Sequence, residues 1–297
     1  MDLFVVGSVA IDVVDTPRAS SGRVLGGSAT YAAYAASFFS KVGIVSVVGS
    51  DFPEEYLEVL RRRGINLDGL AFAPGPSFFW HGRYAEDSNE RVTVKVCPNV
   101  LGEFDGSVPE SYLGAPCVLL GNCSPSLQLS VVNQLAPSRL VFADTMDHWI
   151  TGSCEGVREL IRRSTGIFVN EFEATLLTDA EPQDAARKLH EMGPQVVVVK
   201  LGTKGSILSW RGGAIHVPVY KVKDVLDATG AGDCFAGGFM GYLSGKPELS
   251  RKVLVDACVY GTVMASFCIE SFSLNRLERV SPAEIEERRR DVLERTR

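Results

Sequence analysis

The sequence predicts an α/β protein, with a mainly parallel sheet covered by helices on both faces and a small β lid inserted into the body. Two observations carry this prediction. Short β-branched runs without charge alternate with amphipathic stretches, and two early segments break that alternation as extended, polar chain.

In chain order, Leu3 to Val6, Ile44 to Val48, Val118 to Leu120, Leu140 to Phe142, Ile167 to Val169 and Val196 to Val199 are the predicted strands. Each is short and uninterrupted by charge, as suits parallel strands buried on both faces. Helices are predicted over Glu54 to Arg63, Leu127 to Leu135, Glu155 to Arg163 and Asp184 to Met192. Later ones follow over Ala231 to Leu243, Ser250 to Phe267 and Pro282 to Arg295. Ile11 to Leu25 is polar and irregular. Phe78 to Tyr84 and Arg91 to Cys97 read as a hairpin joined by a polar turn over 85–90. Neither stretch fits a helical crossover, so residues 11–25 and 78–97 are assigned to the lid. No linker or repeat divides residues 1–297, which read as one domain.

Composition narrows the function. A chain of 297 residues with 45% hydrophobic residues has ample material for a large core, and a formal charge of -6 disfavours nucleic acid or an anionic membrane as partner. No apolar run reaches membrane-spanning length, and Met1 to Val6 begins as a strand without the basic flank of a signal peptide. Seven scattered cysteines without a C-x-x-C pair indicate neither a disulfide framework nor a zinc site. A reduced, cytoplasmic protein is expected.

The most informative segment is Asp227-Ala228-Thr229-Gly230-Ala231-Gly232-Asp233. A Gly-Ala-Gly turn opening a helix leaves backbone N–H groups unpaired at the positive end of the helix dipole, which makes an anion cradle. A carboxylate there would repel a phosphate as a ligand. As a base for a hydroxyl attacking the phosphoryl group, Asp233 makes chemical sense, and the arrangement is that of a kinase. Phe235 stands where a dinucleotide fingerprint needs its third glycine, and Gly245-Lys246 is followed by Pro247 rather than Ser or Thr, so neither an NAD site nor a P-loop is supported.

Other segments have two readings each. Gly26-Gly27-Ser28-Ala29-Thr30-Tyr31 is a tight turn before a closely packed helix, or backbone offered to a hydroxylated ligand. Asp12 is a solvated turn residue or an acceptor for paired hydroxyls. Asn170 and Glu173, three apart after a strand, form a capping box, hold magnesium through its waters, or do both. Lys200-Leu201-Gly202-Thr203-Lys204-Gly205 is a hairpin turn or a loop against a nucleotide.

Taken in order, these segments closely resemble the ribokinase (PfkB) family of carbohydrate kinases. Gly26-Gly27, Val48-Gly49-Ser50-Asp51, Asn170-x-x-Glu173 and Asp227-x-Thr229-Gly230-Ala231-Gly232-Asp233 carry the resemblance over essentially the whole chain. It implies a Rossmann-like three-layer αβα body with a β lid over the substrate. It also implies Asp233 as base, the amides of Gly230, Ala231 and Gly232 as anion hole, and Asn170 and Glu173 in the magnesium and phosphate region. Lys200, Gly202 and Gly205 would border ATP, while Asp227 and Thr229 match positions that hold an activating monovalent cation such as K⁺ in many members. Asp12, Gly27 and Ser28 match substrate contacts, with Phe79 and Arg83 closing from the lid. Tyr31 replaces an asparagine that binds substrate hydroxyls in many sugar-specific members, so its ring fills space or stacks on the substrate. The implied activity is transfer of the γ-phosphoryl group of ATP, with Mg²⁺, to a hydroxyl of a small polyhydroxy substrate. A sugar is expected ahead of a nucleoside such as adenosine, with an inositol also open and a non-catalytic relative last. The family further suggests a homodimer joined through the lids.

Overall fold

The computed structural model describes residues 1–85, 91–246 and 248–296. Among these residues the strands are β1 (Leu3–Val6), β2 (Ala10–Asp15), β3 (Ser20–Gly26), β4 (Val42–Gly49), β5 (Asn66–Ala73), β6 (Phe78–Tyr84) and β7 (Arg91–Cys97). They continue as β8 (Cys117–Leu120), β9 (Leu140–Asp144), β10 (Gly166–Asn170), β11 (Val196–Lys200), β12 (Ser206–Trp210) and β13 (Gly213–Val217). Nine form one sheet in the order β13-β12-β11-β10-β9-β8-β1-β4-β5. From β5 to β11 every pairing is parallel, and β12 and β13 complete the far edge in antiparallel pairings.

The absence of charge in the predicted strands follows from burial on both faces. Leu3, Phe4, Val5 and Val6 are all fully buried, yet alternate side chains enter different cores. Leu3 and Val5 pack with the helices Ser28–Ala36, Ala231–Ser244 and Arg251–Cys268. Phe4 and Val6 pack with Pro125–Gln134, Cys154–Arg163 and Pro182–Glu191 on the other side. Val196 and Val198 divide from Val197 and Val199 in the same way, which makes three layers. At about 1.5–3 kcal/mol per fully buried side chain of this size, one charge in such a run would forfeit more than a surface contact returns.

The alanine run within the helix Ser28–Ala36 has a packing cause. A Cβ on Gly237 would fall 2.1 Å from the Ala32 carbonyl oxygen, and one on Gly241 would fall 2.6 Å from that of Ala36. Glycines four apart on one helix therefore lie against alanines four apart on the other.

The two irregular segments form the second sheet, in the order β3-β2-β6-β7. Strand β2 runs antiparallel to β3 and parallel to β6, and β6 and β7 form the predicted hairpin, with a register shift between His81 and Gly82. The turn expected over 85–90 falls mostly on residues 86–90, outside the described residues. The entry to β6 is tied to the end of β4, where Gly49 donates to Ser77 Oγ at 2.9 Å and Ser77 N and Oγ each donate to Asp51 Oδ1 at 2.7 Å.

Strand β5 was not expected from sequence, because it carries Asp68, exposes Phe72 and shows no apolar alternation. As an edge strand it needs none. Among the described residues no helix is long and apolar enough to cross a membrane.

Candidate active site

Parallel strands in an open sheet deliver ligands to their carboxyl ends. At that edge β9 ends in Asp144, β10 in Asn170 and β11 in Lys200, and the helix Ala231–Ser244 begins beside them. Gly230 caps that helix in the left-handed conformation, φ 77°, and a Cβ there would lie 2.5 Å from the Tyr31 ring. Only glycine allows both the turn and the contact. The amides of Gly230 and Gly232 have no hydrogen-bond partner among the described residues, whereas that of Ala231 donates to the Ala228 carbonyl at 3.2 Å. The anion cradle expected from three amides therefore has two free ones.

Asp233 stands in the first turn of this helix. Burial pushes its carboxyl up to about 7, and the carboxylate of Asp144 adds to the rise, while Lys200, Arg91 and its own amide oppose it. The helix-terminus amide alone does not keep it in the ordinary carboxylate range. Lys200 Nζ lies 3.0 Å from Asp144 Oδ2 and 3.3 Å from Oδ1, and a Cβ on Gly232 would fall 3.2 Å from the same nitrogen. A paired ammonium, two free amides and a buried carboxyl of near-neutral affinity thus gather at one helix start.

Asn170 and Glu173 form a complete capping box. Asn170 N donates to Glu173 Oε2 at 2.7 Å, and Glu173 N donates to Asn170 Oδ1 at 2.8 Å. Burial raises the Glu173 carboxyl, Lys200 opposes the rise, and Asp144 reinforces it. The loop after Lys200 is the turn into antiparallel β12, closed by Leu201 N donating to the Gly205 carbonyl at 2.8 Å.

Across the gap, Asp12 on β2 is 4% exposed. Its carboxyl is pushed up to about 7 by burial, lowered by the Gly27 amide, raised again by Asp227 and Asp233, and lowered by Arg91. Asp227 Oδ1 accepts from Thr229 N at 2.8 Å, and its Oδ2 is buried without a partner among the described residues. From the lid, Tyr84 Oη lies 3.1 Å from Thr229 Oγ1. Register extends this inner face: Trp80 pairs with Asp12, and Arg91 pairs with Tyr84. Trp80 Nε1 donates to Thr93 Oγ1 at 3.2 Å, and the Arg91 guanidinium lies 5.1 Å from the indole centroid.

Comparison with known proteins decides the family. Residues 125–278 match the pfkB family of carbohydrate kinases. A cytidine kinase of Thermococcus kodakarensis is 34% identical over 271 residues, covering 86% of this chain and 96% of that enzyme. The chain belongs to the PfkB family. It is accordingly an ATP-dependent phosphotransferase. A 2-dehydro-3-deoxygluconokinase of Thermoproteus tenax is 26% identical over 262 residues, 80% of each chain. In fold, the solved nucleoside kinase of Methanocaldococcus jannaschii superposes with a TM-score of 0.79 at 21% identity, covering 98% of this chain and 99% of that one. The fold is of ribokinase type.

Within this PfkB chain four residues expected to contact the substrate are engaged otherwise. Phe79 and Arg83 lie on the outer face of the lid, because strand side chains alternate and Asp12 shares its face with Trp80. Out there Phe79 lies between Arg23 and Lys95, and Arg83 Nη2 is 3.7 Å from Asp15 Oδ2. Ser28 spends its hydroxyl internally, donating to the Asn122 carbonyl at 2.9 Å and accepting from Ser8 N at 3.1 Å. Tyr31 is 1% exposed and packs beneath Gly230, where its ring fills space. Asp144 was missed altogether. Its signal was a lone carboxylate closing an apolar strand, in the same position relative to β9 as Asn170 is to β10.

Proposed function

We propose that the chain is a nucleoside kinase, transferring the γ-phosphoryl group of ATP to the primary hydroxyl of a ribose. The observation that carries this reading is Trp80, an aromatic platform on the inner face of the lid in register with Asp12. A carboxylate for the vicinal ribose hydroxyls beside a flat ring for the base is the chemistry a nucleoside needs and a free sugar does not. The 34% identity to a cytidine kinase supports a pyrimidine base.

In this reading Asp12 accepts hydrogen bonds from the ribose diol, with the Gly27 amide holding its carboxylate. The primary hydroxyl oxygen forms its bond to the γ-phosphorus as the bond from phosphorus to the ADP oxygen breaks. Its proton passes to Asp233, and the free amides of Gly230 and Gly232 take up charge on the phosphoryl oxygens. Gly202 and Gly205 border the nucleotide alongside Lys200.

Asn170 and Glu173 suit Mg²⁺ held through waters, since that ion takes one or two carboxylates and keeps the rest of its hydration shell. When bound, that ion would neutralise charge on the phosphates of ATP. The unpartnered Oδ2 of buried Asp227 suits K⁺ at the neighbouring loop with Thr229. In choline buffer kcat is expected to rise on adding K⁺, and Asp227→Asn is expected to abolish that response. An equal response in the variant would remove Asp227 from the cation site.

The deciding experiment compares cytidine, uridine, adenosine, ribose, 2-dehydro-3-deoxygluconate and inositol as acceptors with MgATP. A pyrimidine nucleoside is expected to exceed ribose in kcat/KM by about 10²-fold or more, because the base contacts are absent from the free sugar. A free sugar turned over as well as any nucleoside would overturn the reading in favour of a sugar kinase.

A further inference from the structure

Lys200 stands in an electrostatically awkward place. Its ammonium lies against Gly232, at the positive end of the helix Ala231–Ser244, where a cation is disfavoured. It reaches there from the end of β11, across the end of β10, to Asp144 at the end of β9. The Asp144 side chain is 6% exposed and that of Lys200 19% exposed, so little water shares the cost of either charge. Removing one partner of such a pair strands the other, and hydrophobic pairs of similar volume stabilise at least as well. An ion pair kept at this position is explained by an anion that completes it. The ammonium has three donors, and among the described residues Asp144 is its one hydrogen-bond partner. At least one donor is left for the space in front of the free Gly232 amide.

We propose that Asp144 is a positioning residue that holds Lys200 against the helix start, so that the Lys200 ammonium contacts the phosphoryl group during transfer as a catalytic residue. The proposal rests on the phosphotransfer chemistry of the preceding section and not on the identity of the acceptor. Lys200 keeps its proton throughout. It supplies fixed positive charge where charge develops, while the hydroxyl proton still goes to Asp233 and ADP still leaves.

Two consequences separate this from a structural ion pair. Asp144 acts through Lys200, so its removal should matter little once Lys200 is gone. The groups acting on Asp233 are Asp144, Lys200 and Arg91, and Asp12 lies on the facing strand. Of these, Asp144 raises the affinity of Asp233 for a proton and Lys200 lowers it. Removing either member of the pair should therefore move the acid limb of the rate profile in opposite directions.

The test uses the full chain and whichever acceptor the wild type turns over fastest, so a wrong substrate assignment does not decide it. Lys200→Met is expected to lower kcat by about 10²–10³-fold, with KM for ATP changed by less than about tenfold. Asp144→Asn is expected to lower kcat by about 10- to 100-fold, but by less than about threefold in the Lys200→Met background. The acid limb should move to higher pH in Lys200→Met and to lower pH in Asp144→Asn. If Asp144→Asn does not fold, Asp144→Glu makes the comparison, with kcat reduced and the acid limb unmoved. Multiplicative losses in the double variant, or a raised KM for ATP with kcat intact, would overturn the proposal.

Discussion

Asp233 must be ionised to accept a proton, yet burial and Asp144 push it up to about 7. An amide in its place has the same shape and no charge to desolvate. Asp233→Asn is therefore expected to lower kcat by about 10²–10⁴-fold while leaving Tm above neutral pH unchanged or higher. A folded variant with near-wild-type turnover would remove Asp233 as the base. Tyr31 makes the complementary case. Its hydroxyl is buried without a partner among the described residues, which costs about 1–3 kcal/mol. Tyr31→Phe is expected to keep kcat/KM within about twofold and not to lower Tm. A KM for the acceptor raised about tenfold, at constant KM for ATP, would place that hydroxyl on the substrate after all.

At the scale of elements, the lid divides into two faces with different expected sensitivities. Trp80→Ala removes a stacking platform worth about 1–3 kcal/mol and is expected to raise KM for a nucleoside by about 10- to 100-fold. Phe79→Ala, one residue away on the outer face, is expected to leave it within about twofold. Equal effects at both positions would mean that the lid does not use its inner face for recognition. The strands of this lid were legible as extended chain that fits no helical crossover, but their faces were not. Which side chains look inward depends on β2 pairing in parallel with β6 and on the register shift after His81, and both are tertiary facts. The buried strands and the Asp227 to Asp233 segment were legible because each must satisfy its chemistry locally, through charge-free runs and a glycine turn. Asp144 and Lys200 were harder, since their pairing spans β10 and has no sequence spacing. The inward turn of Tyr31 likewise follows from Gly230, far along the chain.

At the scale of the molecule, the site sets a conflict between stability and activity within one pH window. Asp12 and Asp233 both rise from 3.8 to about 7 through burial, and Glu173 rises for the same first cause. Between these values the folded chain retains protons that the unfolded chain has released. Raising the pH through that window therefore lowers stability, and the loss levels off above about 7. Carboxyls held low act elsewhere. Glu284, lowered to about 2 by the Ser281 amide and Arg276, and Asp105, lowered by the Ser107 amide, contribute stability that is lost only as pH falls below the ordinary carboxylate range. Tm of the ligand-free protein is thus expected to fall from about pH 5 to about pH 8, and Asp12→Asn and Asp233→Asn should each flatten the curve. Over the same interval kcat/KM should rise as Asp233 ionises, with a midpoint near 7. Scanning calorimetry and initial rates in a common buffer series measure both curves. A Tm that climbs from about pH 5 to about pH 7 would mean that these carboxyls are ionised in the folded protein. The site would then hold charge that the burial of its carboxyls does not explain.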